Sequence, residues 1–92
     1  MITWELLRIQ HKYSEFCTIR EFERLGSSDD WEYCMDILSA IPDININKAK
    51  KEIADLMGWN EENGCFFEGN EWDYNMLDEI LFKYVGRELY HD

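Results

Sequence analysis

The acidic residues of this chain are concentrated in two segments that contain no basic residue. Residues 27–46 carry a charge of −5 and residues 61–79 a charge of −7, while the rest of the chain is close to neutral. Such a distribution repels nucleic acid and anionic membranes and attracts basic proteins. We therefore expect a basic protein partner, with no direct nucleic acid or membrane binding. The acids of the two segments, which we take as candidate partner-binding residues, are Asp29, Asp30, Glu32, Asp36, Asp43, Glu61, Glu62, Glu68, Glu71, Asp73, Asp78 and Glu79.

The chain contains enough apolar material to fold despite its net charge of −11. Hydrophobic residues make up 46% and aromatic residues 15% of its 92 residues, which is the composition of a globular protein. This length predicts a single acidic domain over residues 1–92. Three cysteines are an odd number and match no disulfide framework, and the N-terminus lacks the pattern of a signal peptide. We expect a cytoplasmic protein with free thiols.

Helical periodicity dominates the apolar pattern, so the predicted fold class is mainly α, with four to five helices. Thr3 is a suitable cap for the first helix. The capping-box pattern from Thr18 to Glu21 predicts a break near Cys17 and a second short helix that extends to Leu25.

Three later helices and a short hairpin complete the predicted fold. The predicted helices run from Ser28 to a stop at Pro42, from Asn45 or Asn47 to Gly58, and from about Asp73 to Gly86. Between the last two helices, residues 59–72 are rich in turn formers. The Asn63-Gly64 pair favours a short β-hairpin near residues 59–68, with an irregular loop as the alternative.

The helix that begins at Ser28 separates apolar from acidic residues. Asp29, Glu32 and Asp36 share one face and span about 10 Å along the axis at 1.5 Å per residue. Like charges at this spacing destabilise a helix by a few tenths of a kcal/mol per pair, on the order of 0.2–0.5. The helix dipole accounts for acids in the first turn but not for Asp36. We therefore interpret this face as a binding surface.

The sequence offers little support for a metal site or for catalysis. The segment that starts at Asp43 copies the opening of a calcium-binding loop, but the motif requires Gly where Lys48 stands and Glu where Ala54 stands. No zinc spacing, nucleophile elbow or phosphate-binding loop is present. His11 is interpreted as a boundary residue rather than a general base. We expect no cofactor and no enzymatic activity.

The tryptophans support two different expectations. Trp4 and Trp31 lie on apolar stripes and are predicted to be in the core, whereas Trp59 and Trp72 flank the acidic loop region and are candidate exposed contacts. Tryptophan is enriched in protein interfaces, and small chains gain stability from association. We therefore expect a homodimer.

A negative protein surface on rigid helices is suited to occupying a basic DNA-binding groove. In its length and its opening residues, Met1-Ile2-Thr3-Trp4-Glu5-Leu6-Leu7-Arg8, the chain resembles small acidic phage DNA-mimic proteins, in particular the anti-restriction nuclease proteins of T-even phages. This resemblance implies a dimer with DNA-like shape and charge. It also implies inhibition of a modification-dependent restriction endonuclease and competition for a histone-like nucleoid protein in the host cytoplasm.

Another class of protein fits the same composition. An immunity protein or antitoxin would use acidic helices to cap the active site of a basic nuclease toxin, and an acidic adaptor is a third reading. A DNA mimic should displace several DNA-binding proteins, whereas an immunity protein should bind one toxin tightly. Under either reading, reversing Glu21 and Glu23 in the charge-balanced first segment is expected to have little effect on binding.

Overall fold

The computed structural model describes residues 4–23, 25–42, 45–67 and 71–89. The predicted mainly helical fold with a short antiparallel hairpin is confirmed. The elements in chain order are α1 (Trp4–Phe22), α2 (Ser27–Ser39), α3 (Ile46–Met57), β1 (Trp59–Asn60), β2 (Cys65–Phe66) and α4 (Tyr74–Val85). None of the described helices is long and apolar enough to cross a membrane.

Local capping signals set the limits of α3 and α4 as the sequence predicted. The Asn45 side chain accepts a hydrogen bond from the backbone N–H of Lys48, and Asp73 accepts one from that of Met76 at 2.9 Å. These bonds satisfy backbone donors that a helix start leaves unpaired. Gly58 and Gly86 end the two helices with φ near 80°, a left-handed conformation that favours glycine.

The predicted break near Cys17 is wrong, because α1 continues without interruption to Phe22. Phe16 and Cys17 are buried on the same face as Ile9 and Tyr13, so a single buried stripe extends past the predicted break. The capping-box pattern is a local preference worth about 1 kcal/mol. Burial of large side chains such as Phe16 contributes more than that, about 1.5–3 kcal/mol each, and keeps the segment helical.

The core lies between the four described helices. Its completely buried side chains come from every helix and include Phe16, Ile37, Ile53, Leu77 and Leu81. On the outer side of α3 and α4, Glu52 accepts hydrogen bonds from Lys83 at 2.7 Å and from the hydroxyl of Tyr84. The lowered pKa of Glu52 follows from these two donors. The packed helices therefore provide a rigid support for α2 and the hairpin.

The hairpin is fixed by its turn. Trp59 pairs with Phe66, and the Asn60 side chain accepts hydrogen bonds from the backbone N–H groups of Glu62 and Asn63. Gly64 closes the turn with φ of 64° and donates its N–H to the Asn60 carbonyl at 2.8 Å. These bonds project Glu62 and its neighbours away from the helices.

Candidate functional site

The acidic face of α2 forms one wall of an open depression. Asp29, Glu32 and Asp36 are all exposed and line this depression, whose volume is about 550 Å³. Glu23, at the end of α1, contributes a fourth carboxylate, and apolar side chains that include Tyr33 complete the lining. No basic side chain is among the lining residues that the structure describes. We call this feature the acidic depression.

One of these acids is paired across the fold. Lys12 Nζ of α1 lies 2.8 Å from Asp36 Oδ2, although residues 27–46 contain no base in the sequence. The Asp36 side chain is still 58% exposed. An exposed ion pair of this kind contributes about 0–1 kcal/mol, so a competing cation of a partner can replace Lys12. The separation of acidic from basic residues along the sequence is therefore only partly kept in the folded protein.

Asp30 does not belong to the exposed acidic surface, which corrects its place among the candidate residues. It is 2% exposed and accepts a hydrogen bond from the Tyr74 hydroxyl at 3.0 Å. Burial raises the pKa of Asp30, opposed by the hydrogen bond from Tyr74 and by the charge of Arg20. Burial and the bond to Asp30 in turn raise the pKa of Tyr74 to about 12. Asp30 joins α2 to α4 and is not available to a partner.

Asp78 is also corrected, because it is committed to an internal ion pair. Both of its carboxylate oxygens accept hydrogen bonds from the Arg20 guanidinium, at 2.9 and 2.8 Å. The two side chains are only 12% and 13% exposed, for Arg20 and Asp78 respectively. The guanidinium carbon also lies 4.4 Å from the ring centre of Tyr74 and 4.9 Å from that of Phe16. This pair fastens α4 to α1.

The remaining acids of residues 61–79 are divided among several places. Glu61 and Glu62 are exposed at the tip of the hairpin. Glu71, Asp73 and Glu79 are also exposed, and one carboxylate oxygen of Asp73 accepts the hydrogen bond that caps α4. Unlike Glu61 and Glu62, these three acids line none of the depressions described in this section. Two further candidates, Asp43 and Glu68, lie outside the described residues.

An aromatic groove connects the acidic depression to the hairpin. It has a volume of about 400 Å³, and its wall includes Glu32 of the acidic depression together with Trp31, Trp59 and Phe66. Trp59 also lines a third, shallow depression at the hairpin tip. That depression contains Glu61, Glu62 and Phe67. The acidic depression and the aromatic groove therefore share Glu32, and the aromatic groove and the depression at the hairpin tip share Trp59.

The tryptophans differ in part from expectation. Trp4 is 85% exposed, so its predicted place in the core is wrong, whereas Trp31 packs partly buried against the core. Trp4 precedes the buried Ile9 by five positions, which rotates it about 140° away from the buried stripe. Trp59 is exposed, as expected of a contact residue, while Trp72 is partly buried against the core.

The described residues do not assemble a group of three metal-binding side chains. His11 is exposed and lies 3.5 Å from Glu15 in the same helix. Cys17 and Cys34 are buried, Cys65 is exposed, and these three are free thiols. The chemistry that the surface offers is therefore the binding of cations by carboxylates and aromatic rings.

Sequence reasoning missed Glu23 and Phe67 as parts of this surface. Glu23 belongs to a charge-neutral segment, so summing charge along the chain concealed it, although it lines the acidic depression together with Asp29. Phe67 is 66% exposed beside Glu61 and Glu62. The sequence placed Phe67 within the predicted hairpin near residues 59–68, and an apolar strand residue is usually assigned to a core, so the signal for an exposed contact was weak.

Comparison with protein-family models, with curated proteins and with solved structures gives no match for this chain.

Proposed function

We propose that this protein is a DNA-mimic inhibitor that occupies the basic DNA-binding groove of host proteins in the host cytoplasm. Its targets are proteins such as a modification-dependent restriction endonuclease or a histone-like nucleoid protein. The observation that supports this proposal is a row of three adjoining depressions with carboxylates at both ends. Glu23 and Asp29 lie in the acidic depression, Glu32 lines both it and the aromatic groove, and Glu61 and Glu62 lie at the hairpin tip.

The spacing of carboxylates on α2 is of the order found in DNA. Successive acids Asp29, Glu32 and Asp36 are separated by about 4.5 and 6 Å along the helix axis. One strand of a duplex presents a phosphate about every 3.4 Å of axis, so α2 alone is somewhat less densely charged. Glu23, directly after α1, adds charge to the same depression. A groove that carries lysine and arginine for phosphates would meet these carboxylates at comparable intervals.

Inhibition by this surface requires no cofactor and no chemical step. The protein would act by occupying the groove, and the attraction between opposite charges would make association fast and salt-sensitive. Internal bonds such as the Arg20–Asp78 pair keep the supporting helices in place, so little ordering is required when the partner binds. A rigid acidic surface competes with DNA better than a flexible acidic tail for this reason.

A competition assay tests the proposal. Labelled DNA is bound separately to a nucleoid protein, a modification-dependent restriction endonuclease and a helix-turn-helix repressor, and the acidic protein is then added. We expect release of DNA from more than one of them, with less release as salt is raised. Failure to release DNA from any of the three at low salt would contradict mimicry.

We further propose that the protein is a homodimer formed by the outer face of α1. Trp4 and Phe22 are 85% and 82% exposed. They are 18 residues apart, which places them on the same side of a helix at about 100° per residue. His11 and Glu15 lie between them on the same side. In an antiparallel pair of α1 helices, Trp4 of one copy meets Phe22 of the other, and His11 meets Glu15.

Sedimentation of a double variant, Trp4→Ala with Phe22→Ala, tests the dimer. We expect the wild-type protein to sediment as a dimer at micromolar concentration and the double variant as a monomer, because two large apolar contacts are lost. The variant Trp59→Ala, which removes an exposed tryptophan of β1 and leaves α1 unchanged, should remain dimeric. A wild-type protein that is monomeric at high micromolar concentration would refute this interface.

The immunity protein remains a second candidate because of the exposed aromatic residues. Trp59 and Phe67, 43% and 66% exposed, flank Glu61 and Glu62 on the hairpin. Exposed tryptophan beside charge is typical of binding hot spots for one particular protein. In this case the competition assay would show no general release of DNA, and affinity capture from a bacterial lysate would yield a single nuclease toxin.

A further inference from the structure

The aromatic groove between α2 and the hairpin differs in chemistry from the acidic depression beside it. Its wall includes three aromatic rings, those of Trp31, Trp59 and Phe66. The Trp59 and Phe66 rings form a T-shaped pair with centres 4.9 Å apart, and the Phe66 ring centre lies 6.1 Å from that of Trp31. Trp59 is thus held in place while 43% of it stays exposed. A partly exposed indole that is packed in this way is a preformed contact for a flat or cationic group.

The charge around the groove favours a cation. Glu32 is part of the wall, and Glu61 and Glu62 lie in the neighbouring depression on the other side of Trp59. The N-terminus of α2 opens nearby and by itself would attract an anion with about half a unit of positive charge. Asp29 and Asp30 occupy the first turn of α2 and outweigh that partial charge. None of the described residues that line the groove is basic.

We propose that the aromatic groove binds an arginine side chain displayed by the basic protein partner. The guanidinium would stack on the exposed face of Trp59 and donate hydrogen bonds to the Glu32 carboxylate. Its volume of about 400 Å³ suits one side chain rather than a helix. The proposal rests on the proposed function only in requiring a basic protein partner, and it applies to both candidate functions.

Arginine fits this groove better than lysine for physical reasons. Its guanidinium is planar and weakly hydrated, so it stacks on an aromatic face and pairs with a carboxylate at the same time. The chain already contains such an arrangement in its interior, where Arg20 pairs with Asp78 and lies 4.4 Å from the Tyr74 ring centre. An ammonium group is compact and keeps its water, so lysine would gain from the charge but little from the ring.

The groove would give the acidic surface a selectivity that charge alone does not supply. Carboxylates on α2 attract any basic protein, and this attraction weakens with salt. A stacked arginine is bound partly by apolar contact with Trp59, which salt screens less. Partners that display an arginine at the correct place would therefore remain bound at salt concentrations that release the others.

The test uses three short basic peptides that are identical except for one central residue, which is arginine, lysine or the neutral isostere citrulline. Their affinities for the full chain are measured by fluorescence anisotropy at moderate salt. We expect the arginine peptide to bind about fivefold more tightly than the lysine peptide and more tightly still than the citrulline peptide. Trp59→Leu, which keeps apolar bulk against Phe66 but removes the indole face, should abolish the preference for arginine over lysine.

Two control variants separate the ring from the carboxylate. Trp72→Leu removes a tryptophan that lines none of the described depressions and should leave the arginine preference unchanged. Glu32→Gln should weaken the arginine and lysine peptides together, whereas Glu79→Gln, an exposed acid outside the groove, should not. Circular dichroism of each variant verifies that the helices are retained.

Equal binding of the arginine and citrulline peptides, or an arginine preference that survives Trp59→Leu, would overturn the proposal. A Trp59→Leu variant that dissociates an oligomer would also overturn it, because a second copy would then occupy the groove. Failure of the groove is distinguishable from failure of mimicry. In the first case the wild-type protein still releases DNA from several proteins, and in the second it prefers arginine without releasing DNA.

Discussion

Replacing Asp29, Glu32 and Asp36 with lysine is expected to abolish binding to basic partners while the fold is retained. All three side chains are exposed on one face of α2, and none is buried in the core. Each reversal turns an attraction into a repulsion, and juxtaposed like charges cost several kcal/mol in total, or about a thousandfold in affinity. The competition assay with labelled DNA measures this loss directly.

A matched control keeps the change in net charge the same. Reversing Glu5, Asp55 and Glu88 to lysine also changes the net charge from −11 to −5, but these exposed acids line none of the described depressions. Binding should fall only modestly in the control, through weaker long-range attraction. Equal losses in both triple variants would show that net charge matters and that the α2 face has no special role.

The Lys12–Asp36 pair requires one more variant. Lysine at position 36 would face Lys12 and lower stability slightly, so a double variant that reverses only Asp29 and Glu32 is measured as well.

Reversing Glu21 and Glu23, which the sequence suggested as a neutral control, is unsuitable because Glu23 lines the acidic depression. Reversal of Glu23 is expected to weaken binding to the partner, contrary to the expectation from the charge pattern along the sequence.

The acidic face of α2 was predictable from the sequence, whereas the fate of individual acids was not. Helical periodicity placed Asp29, Glu32 and Asp36 together because their positions repeat every three to four residues. The same periodicity does not predict which hydrogen-bond or ion-pair partners an acid finds in distant segments of the chain. Asp30 is buried where it accepts a hydrogen bond from Tyr74 of α4. Asp78 forms an ion pair with Arg20, which is 58 residues away in sequence. Only packing reveals these contacts.

The fold was predictable where local signals and packing agree. Asn45 and Asp73 cap the starts of α3 and α4, and Gly58 and Gly86 end these helices, as expected. The bonds that cap them join residues close in sequence and therefore do not depend on tertiary packing. The region around Cys17 failed because a local capping preference competes there with burial of a long stripe. Similarly, Trp4 was predicted to be in the core, but the buried stripe of α1 is the one that contains Ile9, and Trp4 lies outside it.

The Arg20–Asp78 pair leads to the largest expected effect on stability. Asp78→Asn keeps the size of the side chain but leaves the nearly buried Arg20 charge without its counterion. Removing one partner of a buried pair destabilises a protein strongly, and with the slight exposure of this pair we expect about 3 kcal/mol. The corresponding fall in Tm is roughly 10–20 °C for a chain of this size. Thermal and urea unfolding followed by circular dichroism measure it.

The neighbouring acid provides the control for this substitution. Glu79→Gln removes an exposed carboxylate one position away and should change the free energy of unfolding by less than about 0.5 kcal/mol. Replacing the whole pair, with Arg20→Met and Asp78→Leu together, should restore much of the lost stability, because no unpaired charge then remains buried. If Asp78→Asn instead left Tm unchanged and weakened partner binding, Asp78 would be a residue of the binding surface and its assignment to the interior would be wrong.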